Sequence, residues 1–171
     1  MPIAFGTRLA IATLALACNV TFAADASAPN DAVAFVSRAA QASMAEITAA
    51  ELALKVSKDP ATQTFARRMI TDHRRSAAEL ATVAKSKSIP VPTALGAEQA
   101  RKLEVLKGKQ GAAFDRAYAA LMVESHGEAV ELFQANVANP DGEIAAYAGR
   151  TLAALQEHSR VAENLQESLP K

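Results

Sequence analysis

The sequence predicts an all-α protein, a four-helix bundle, on three observations. Apolar residues recur at three- and four-residue spacing in four long stretches. No segment alternates apolar and polar residues as a half-buried strand would, and the breaks between stretches carry Pro, Gly, Asn and Asp. Composition agrees: half of the 171 residues are hydrophobic, with seven Gly, seven Pro and no Trp. Roughly a quarter are Ala, small enough to let helices approach closely in one compact domain. Eighteen basic residues balance eighteen acidic ones and are interspersed with them. That leaves no basic stripe to neutralise phosphates, so nucleic-acid binding is not expected.

The N-terminus reads as a signal peptide over residues 1–23. Arg8 supplies the positive start, Leu9 to Ala17 the apolar run, and Thr21-Phe22-Ala23-Ala24-Asp25 the small residues at a cleavage site. The run is too short for a transmembrane helix, which needs about 20 residues. Cleavage after Ala23, or as late as Ala28, leaves residues 30–169 as the folded domain, in the periplasm or outside the cell. The single cysteine, Cys18, lies within this export segment, so no disulfide is expected in the mature domain. The alternative is that Cys18, after Ala15-Leu16-Ala17, serves as a lipid-anchored first residue.

The elements follow in order. Asn30 or Asp31 caps a first helix that runs to about Ser57. Asp59-Pro60 then stops one helix and starts another, with Asp as N-cap and Pro in the first helical position. The second helix runs to about Ser88 and ends before Ile89-Pro90-Val91-Pro92. A short extra helix from about Ala97 to Leu106 occupies the linker. A third long helix spans about Gly111 to Ala138, Asn139-Pro140-Asp141-Gly142 reverses the chain, and a fourth spans about Asp141 to Ser168. The tight first and last connections set antiparallel pairs; the longer middle linker allows either up-and-down order or a crossover.

Four polar residues interrupt the apolar stripes. At about 100° per residue, Glu46 falls within roughly 30° of the centre of its helix's apolar arc, and His73, His126 and His158 lie near the centres of theirs. These are the chain's only histidines. Counted along the helices, all four residues fall in one slab of the bundle, whichever way the third helix runs. A buried carboxylate and buried imidazoles must hydrogen-bond, pair or bind an ion. A single transition-metal ion, Zn, Cu, Fe or Mn, would satisfy all four together, with Asp72, Ser76, Tyr147 and Thr151 as candidates to orient the rings. Taken singly, an inward histidine is more often a satisfied core residue, and a Glu46–imidazole pair with hydroxyl partners would serve structure alone. Asp115, near the start of the third long helix, reads as structural, held by the helix dipole or an arginine. Met69 and Met122, each one turn from a histidine, read as core filler with some affinity for copper.

The phrases Phe65-Ala66-Arg67-Arg68-Met69-Ile70-Thr71-Asp72-His73, then Phe114-Asp115-Arg116-Ala117-Tyr118 with Met122 and His126, then Leu155 and His158, resemble the bacterial exported domain-of-unknown-function family 4142. The resemblance implies a ferritin-like fold over about Asp31 to Leu165 and marks Glu46, His73, His126 and His158 as pattern positions. Ser125 departs from the pattern, which has an acidic residue before the second histidine. Ala153 and Ala154 depart too, standing where Leu-Pro is more familiar, so the fourth helix is expected to be less kinked. Ferritin-like fold does not carry ferroxidase activity with it. Di-iron bundles use paired Glu-x-x-His motifs, and no Glu-x-x-His occurs in this chain.

The leading expectation is an exported bundle protein that binds one transition-metal ion, for metal handling or envelope stress protection. The alternatives are a non-enzymatic envelope protein whose Glu/His layer only fixes helix register, and a mononuclear metalloenzyme with an open coordination position. No catalytic residues are assigned. Protein partners are unspecified, and a homo-oligomer is compatible with the sequence.

Overall fold

Three of the four long helices begin where a short acidic side chain satisfies free amides of the first turn. The computed structural model describes residues 31–170; the export segment and Cys18 lie outside the described residues. Asp31 Oδ1 accepts from the Val33 and Ala34 amides at the head of α1 (Ala32–Val56). Asp59 Oδ2 accepts from the Thr62 amide at 2.7 Å, and Pro60 opens α2 (Pro60–Ser86). A short α3 (Ala97–Lys107) follows, then α4 (Gly111–Gln134). Asp141 caps α5 (Gly142–Ser168) through the Glu143 and Ile144 amides. Its other oxygen lies 2.6 Å from Lys87 Nζ, which ties the end of α2 to the start of α5.

Two helix ends fall short of expectation for local reasons. α2 stops at Ser86 because Ser88 turns left-handed, with φ 55°. The Ile89 amide then reaches back to the Ala84 carbonyl at 2.9 Å and the Ser88 amide to Lys85, the paired bonds of a Schellman ending. α4 stops at Gln134 rather than near Ala138. Asn136 Nδ2 donates to the Leu132 carbonyl at 2.9 Å and Asn139 Nδ2 to Asn136 Oδ1 at 2.8 Å, so side chains supply a turn that competes with the helix. Val137, expected on the apolar stripe, is accordingly exposed.

The core divides into two apolar halves, and their membership fixes the topology. One half joins Ala49–Ala53 of α1, Phe65–Met69 of α2, Phe114–Met122 of α4 and Ala162–Leu165 of α5. The other joins Phe35–Ala40, Leu80–Ala84, Ala129–Phe133 and Ile144–Leu155 of the same helices. Thus α1 and α5 run one way, and α2 and α4 the other. The packed neighbours are α1 with α2, α2 with α5, α5 with α4 and α4 with α1, so every adjacent pair is antiparallel. The α2–α4 connection must therefore travel the length of the bundle. That is the crossover arrangement, and α3 lies within it against α1 and α4, burying Leu103 and Leu106. Ala49, Ala50, Ala53, Ala66, Ala119 and Ala162 are fully buried, which allows the close helix spacing.

Among the described residues no helix is long and apolar enough to cross a membrane. The left-handed Ser88 gives a first test, because a side chain at that conformation costs about 1–2 kcal/mol and Gly is the usual occupant of the position. Ser88→Gly is expected to raise unfolding free energy by about 0.5–1 kcal/mol after glycine's own entropy cost, measured by urea denaturation at unchanged slope.

Candidate metal centre

Between the two apolar halves the helices present one polar layer. Glu46 of α1, His73 of α2, His126 of α4 and His158 of α5 are all buried, His126 completely. Each sits at mid-helix, where small or flexible residues flank it on the same face. The three rings form a nearly equilateral triangle, with centroids 5.6 Å (His73–His126), 5.5 Å (His73–His158) and 5.4 Å (His126–His158) apart. Each ring offers one nitrogen, and these three atoms lie within 4.8 Å of one another.

The partners of two rings determine which nitrogen is free. His126 Nδ1 lies 2.8 Å from the Met122 carbonyl, which can only accept, so Nδ1 carries the hydrogen and Nε2 the lone pair. His158 Nε2 lies 3.0 Å from Asp72 Oδ2, which likewise assigns the hydrogen to Nε2 and the lone pair to Nδ1. Both lone-pair atoms, His126 Nε2 and His158 Nδ1, are buried and have no hydrogen-bond partner. His73 Nε2 is 3.1 Å from Glu46 Oε2 but not aligned for a hydrogen bond with it. Glu46 is therefore beside the triangle, 3.7 Å from His126 Nδ1 through its other oxygen, rather than a fourth member of the mutually close set.

That other oxygen, Oε1, accepts from Ser125 Oγ at 2.8 Å. The residue set apart from the family pattern thus supplies Glu46 with a neutral donor, where an acidic side chain would place a second negative charge. Sequence reasoning missed this contact, since it depends on how α1 and α4 meet. Asp72 carries His158 and is itself held by Arg75 at 3.1 Å and Arg68 at 3.5 Å. The other proposed orienting residues make no hydrogen bond to a ring: Ser76 Oγ and Tyr147 Oη lie 2.7 Å apart, and with Thr151 they line a cavity beside the histidines. Asp115 is buried, with Oδ1 unpartnered and no arginine within ion-pair distance among the described residues, so the pairing expected as one alternative does not form.

The charges follow from burial. Burial favours the neutral ring and lowers the pKa of His73, against the pull of Glu46. Burial likewise lowers His158 to about 4, opposed by its bond to Asp72. Burial would raise the Glu46 carboxyl, yet His73, His126 and the Ser125 bond together hold it below its ordinary value. At neutral pH the rings of His73 and His158 are therefore uncharged beside the Glu46 carboxylate.

A cavity of about 250 Å³ reaches this layer from solvent. His73, His158 and Glu46 form its floor, and exposed Arg75 and Arg150 stand at its mouth. A second cavity of about 160 Å³ on the α1–α4 side is bounded by Glu46 and Ser125 and overhung by α3. Lys102 of α3 stands over it, within 3.2 Å of Glu98, Glu124 and Glu128.

Fold and layer together define an all-helical crossover bundle with an interior carboxylate and three converging imidazoles. The chain belongs to the family described as domain of unknown function (DUF4142), whose model matches residues 19–165. Its fold is similar to that of CopM in the Cu(II)-bound form, with a TM-score of 0.67 at 21% identity, covering 80% of this chain and 95% of that one. CopM in the Ag-bound form aligns similarly, with a TM-score of 0.66 at 22% identity over 80% and 95% of the two chains. A conserved hypothetical protein, rv2844, from Mycobacterium tuberculosis has a TM-score of 0.65 at 16% identity, covering 84% of this chain and 96% of its own. No curated protein matched the chain.

The depressed histidines make a stability prediction. Between the ordinary value of 6.5 and the folded value of about 4 for His158, the unfolded chain takes up a proton that the folded chain refuses. The stability due to the neutral ring is thus fully present above pH 6.5 and lost as pH falls toward 4. The melting temperature of metal-free protein should decline across that window, and less steeply in His158→Gln.

Proposed function

We propose that this chain is an exported metal-handling protein that binds one transition-metal ion among His73, His126 and His158, with Glu46 balancing its charge. The observation that carries this reading is the pair of buried, unpartnered nitrogens, His126 Nε2 and His158 Nδ1. Buried polar atoms without partners are rare because each costs about 1–3 kcal/mol, and a cation accepts both lone pairs at once. His73 turns its Nε2 toward the same interior, 3.1 Å from Glu46. Neutral imidazoles need release no proton to bind, so depressed histidine pKa values favour uptake at neutral pH. Asp72 behind His158 and the Met122 carbonyl behind His126 fix ring orientation, the usual outer support of a histidine ligand.

Imidazole and carboxylate donors suit Zn(II), Cu(II), Fe(II) and Mn(II), and Cu(II) is bound most tightly of these by a given site. The structural likeness to a protein crystallised with Cu(II) and with Ag makes copper the first ion to test. The bound ion supplies a Lewis-acid centre, or a redox centre if it is copper or iron; the chain supplies the ligands, their orientation and a lined approach from solvent.

Elemental analysis of reconstituted protein should find one ion per chain. His126→Ala should weaken affinity beyond the roughly 10–100-fold expected for the outer residue in Asp72→Ala. Chelation should lower the melting temperature, since an ion held at about a hundred times its dissociation constant contributes roughly 2.7 kcal/mol. Wild-type protein that takes up no ion would leave the second reading, in which the layer only fixes helix register; Glu46 already accepts from Ser125, which favours that alternative.

Export rests on Arg8, the apolar Leu9–Ala17 run and the small residues to Ala28. An intact mass beginning between Ala24 and Pro29 in the envelope fraction is the expected result, whereas a lipidated Cys18 start would indicate anchoring instead.

A further inference from the structure

We propose that Ser125 is a positioning residue of the metal centre: its hydroxyl ties one oxygen of Glu46 back to α4, so that the carboxylate turns only its other oxygen toward an ion at the histidines. The proposal rests on the metal-binding reading above and deepens it by naming what sets the role of Glu46. Ser125 directly precedes His126 on α4. A step of about 100° per residue brings its side chain round to α1 while the ring points inward. Glu46 Oε1 accepts from Ser125 Oγ at 2.8 Å. The same oxygen lies 3.7 Å from His126 Nδ1, the nitrogen whose hydrogen goes to the Met122 carbonyl. Oε1 is thus held on the hydrogen-bearing side of the ring. Oε2 lies 3.1 Å from His73 Nε2, one of the buried nitrogens that no protein group meets.

No other side chain among the described residues donates a hydrogen bond to Oε1. The α1 residues one turn to either side of Glu46 on its face, Ala42, Ala45, Ala49 and Ala50, carry no donor. Lys102 lines the same cavity of about 160 Å³ as Glu46 and Ser125, yet its ammonium is taken by Glu98, Glu124 and Glu128. A carboxylate can meet a cation through one oxygen or through both, and the terminal torsion of a glutamate is soft enough to turn between the two. Ser125 settles that choice, because an oxygen that accepts from the hydroxyl on α4 is not free to swing to the ion. A neutral hydroxyl does this without adding a second charge to a layer in which Glu46 is 2% exposed.

The test uses the full mature protein and the pair Ser125→Thr and Ser125→Val, which share one shape and differ in the hydroxyl. Alanine is avoided, because water from the adjoining cavity would fill the hydroxyl's place. Each protein is loaded with Cu(II), and its metal content is measured before electron paramagnetic resonance spectra are recorded. Ser125→Thr should reproduce the wild-type spectrum. Ser125→Val should keep its copper but show a different parallel g value and copper hyperfine splitting, as a second carboxylate oxygen joins the ion. Crystals of that loaded variant should place Glu46 Oε1 about 2.0–2.2 Å from the metal, the range for a carboxylate oxygen on such an ion. In a Glu46→Gln background the valine should leave the spectrum unmoved, since the effect runs through the carboxylate. Copper-loaded Ser125→Val with the spectrum of Ser125→Thr overturns the proposal, as does a spectral change that persists with Glu46→Gln. A wild type that holds no copper overturns the metal reading with it, and the measured metal content separates that failure from the others.

Discussion

A carboxylate in the middle of a helical bundle must be compensated there, and the arrangement of this protein follows from that constraint. Glu46 is 2% exposed and lies at mid-length on α1. Left alone it would cost several kcal/mol, yet it stays ionised because His73, His126 and Ser125 surround it from two other helices. The compensation is lopsided. One oxygen faces Ser125, the other faces His73, and the histidines beyond retain lone pairs that no protein group meets.

The rest of the fold holds this layer in place. Two apolar halves close above and below it, and buried alanines bring the helices near enough for four side chains from four helices to meet. Antiparallel neighbours bring the midpoints of all four helices to one height, and the crossover makes every neighbouring pair antiparallel. Support also comes from outside the layer. Arg68 and Arg75 hold Asp72 at the surface, Asp72 holds His158, and so a surface ion-pair network sets the orientation of a buried ring.

Much of this was legible in the chain because it depends on local geometry. Asp59-Pro60 and Asn139-Pro140-Asp141-Gly142 announce reversals by their own chemistry, and the 3.6-residue period places Glu46 and the three histidines inward without knowledge of neighbours. The illegible parts depend on how helices meet. A linker the length of residues 87–110 suits both candidate topologies. Ser125 gains its role only from the approach of α4 to α1, and the early end of α4 comes from Asn136 and Asn139 side chains competing with a helix that periodicity alone would continue. Ser76, Tyr147 and Thr151 read as supports for the rings from their spacing, whereas in space they furnish the wall of a cavity.

The most direct measurement of the central claim is anomalous diffraction from a crystal of the copper-loaded protein, with data collected on both sides of the metal's absorption edge. The account predicts one interior peak about 2.0–2.1 Å, the usual imidazole–metal distance, from a nitrogen of each of His73, His126 and His158. A peak on the protein surface, with the three rings still free of metal, would contradict it.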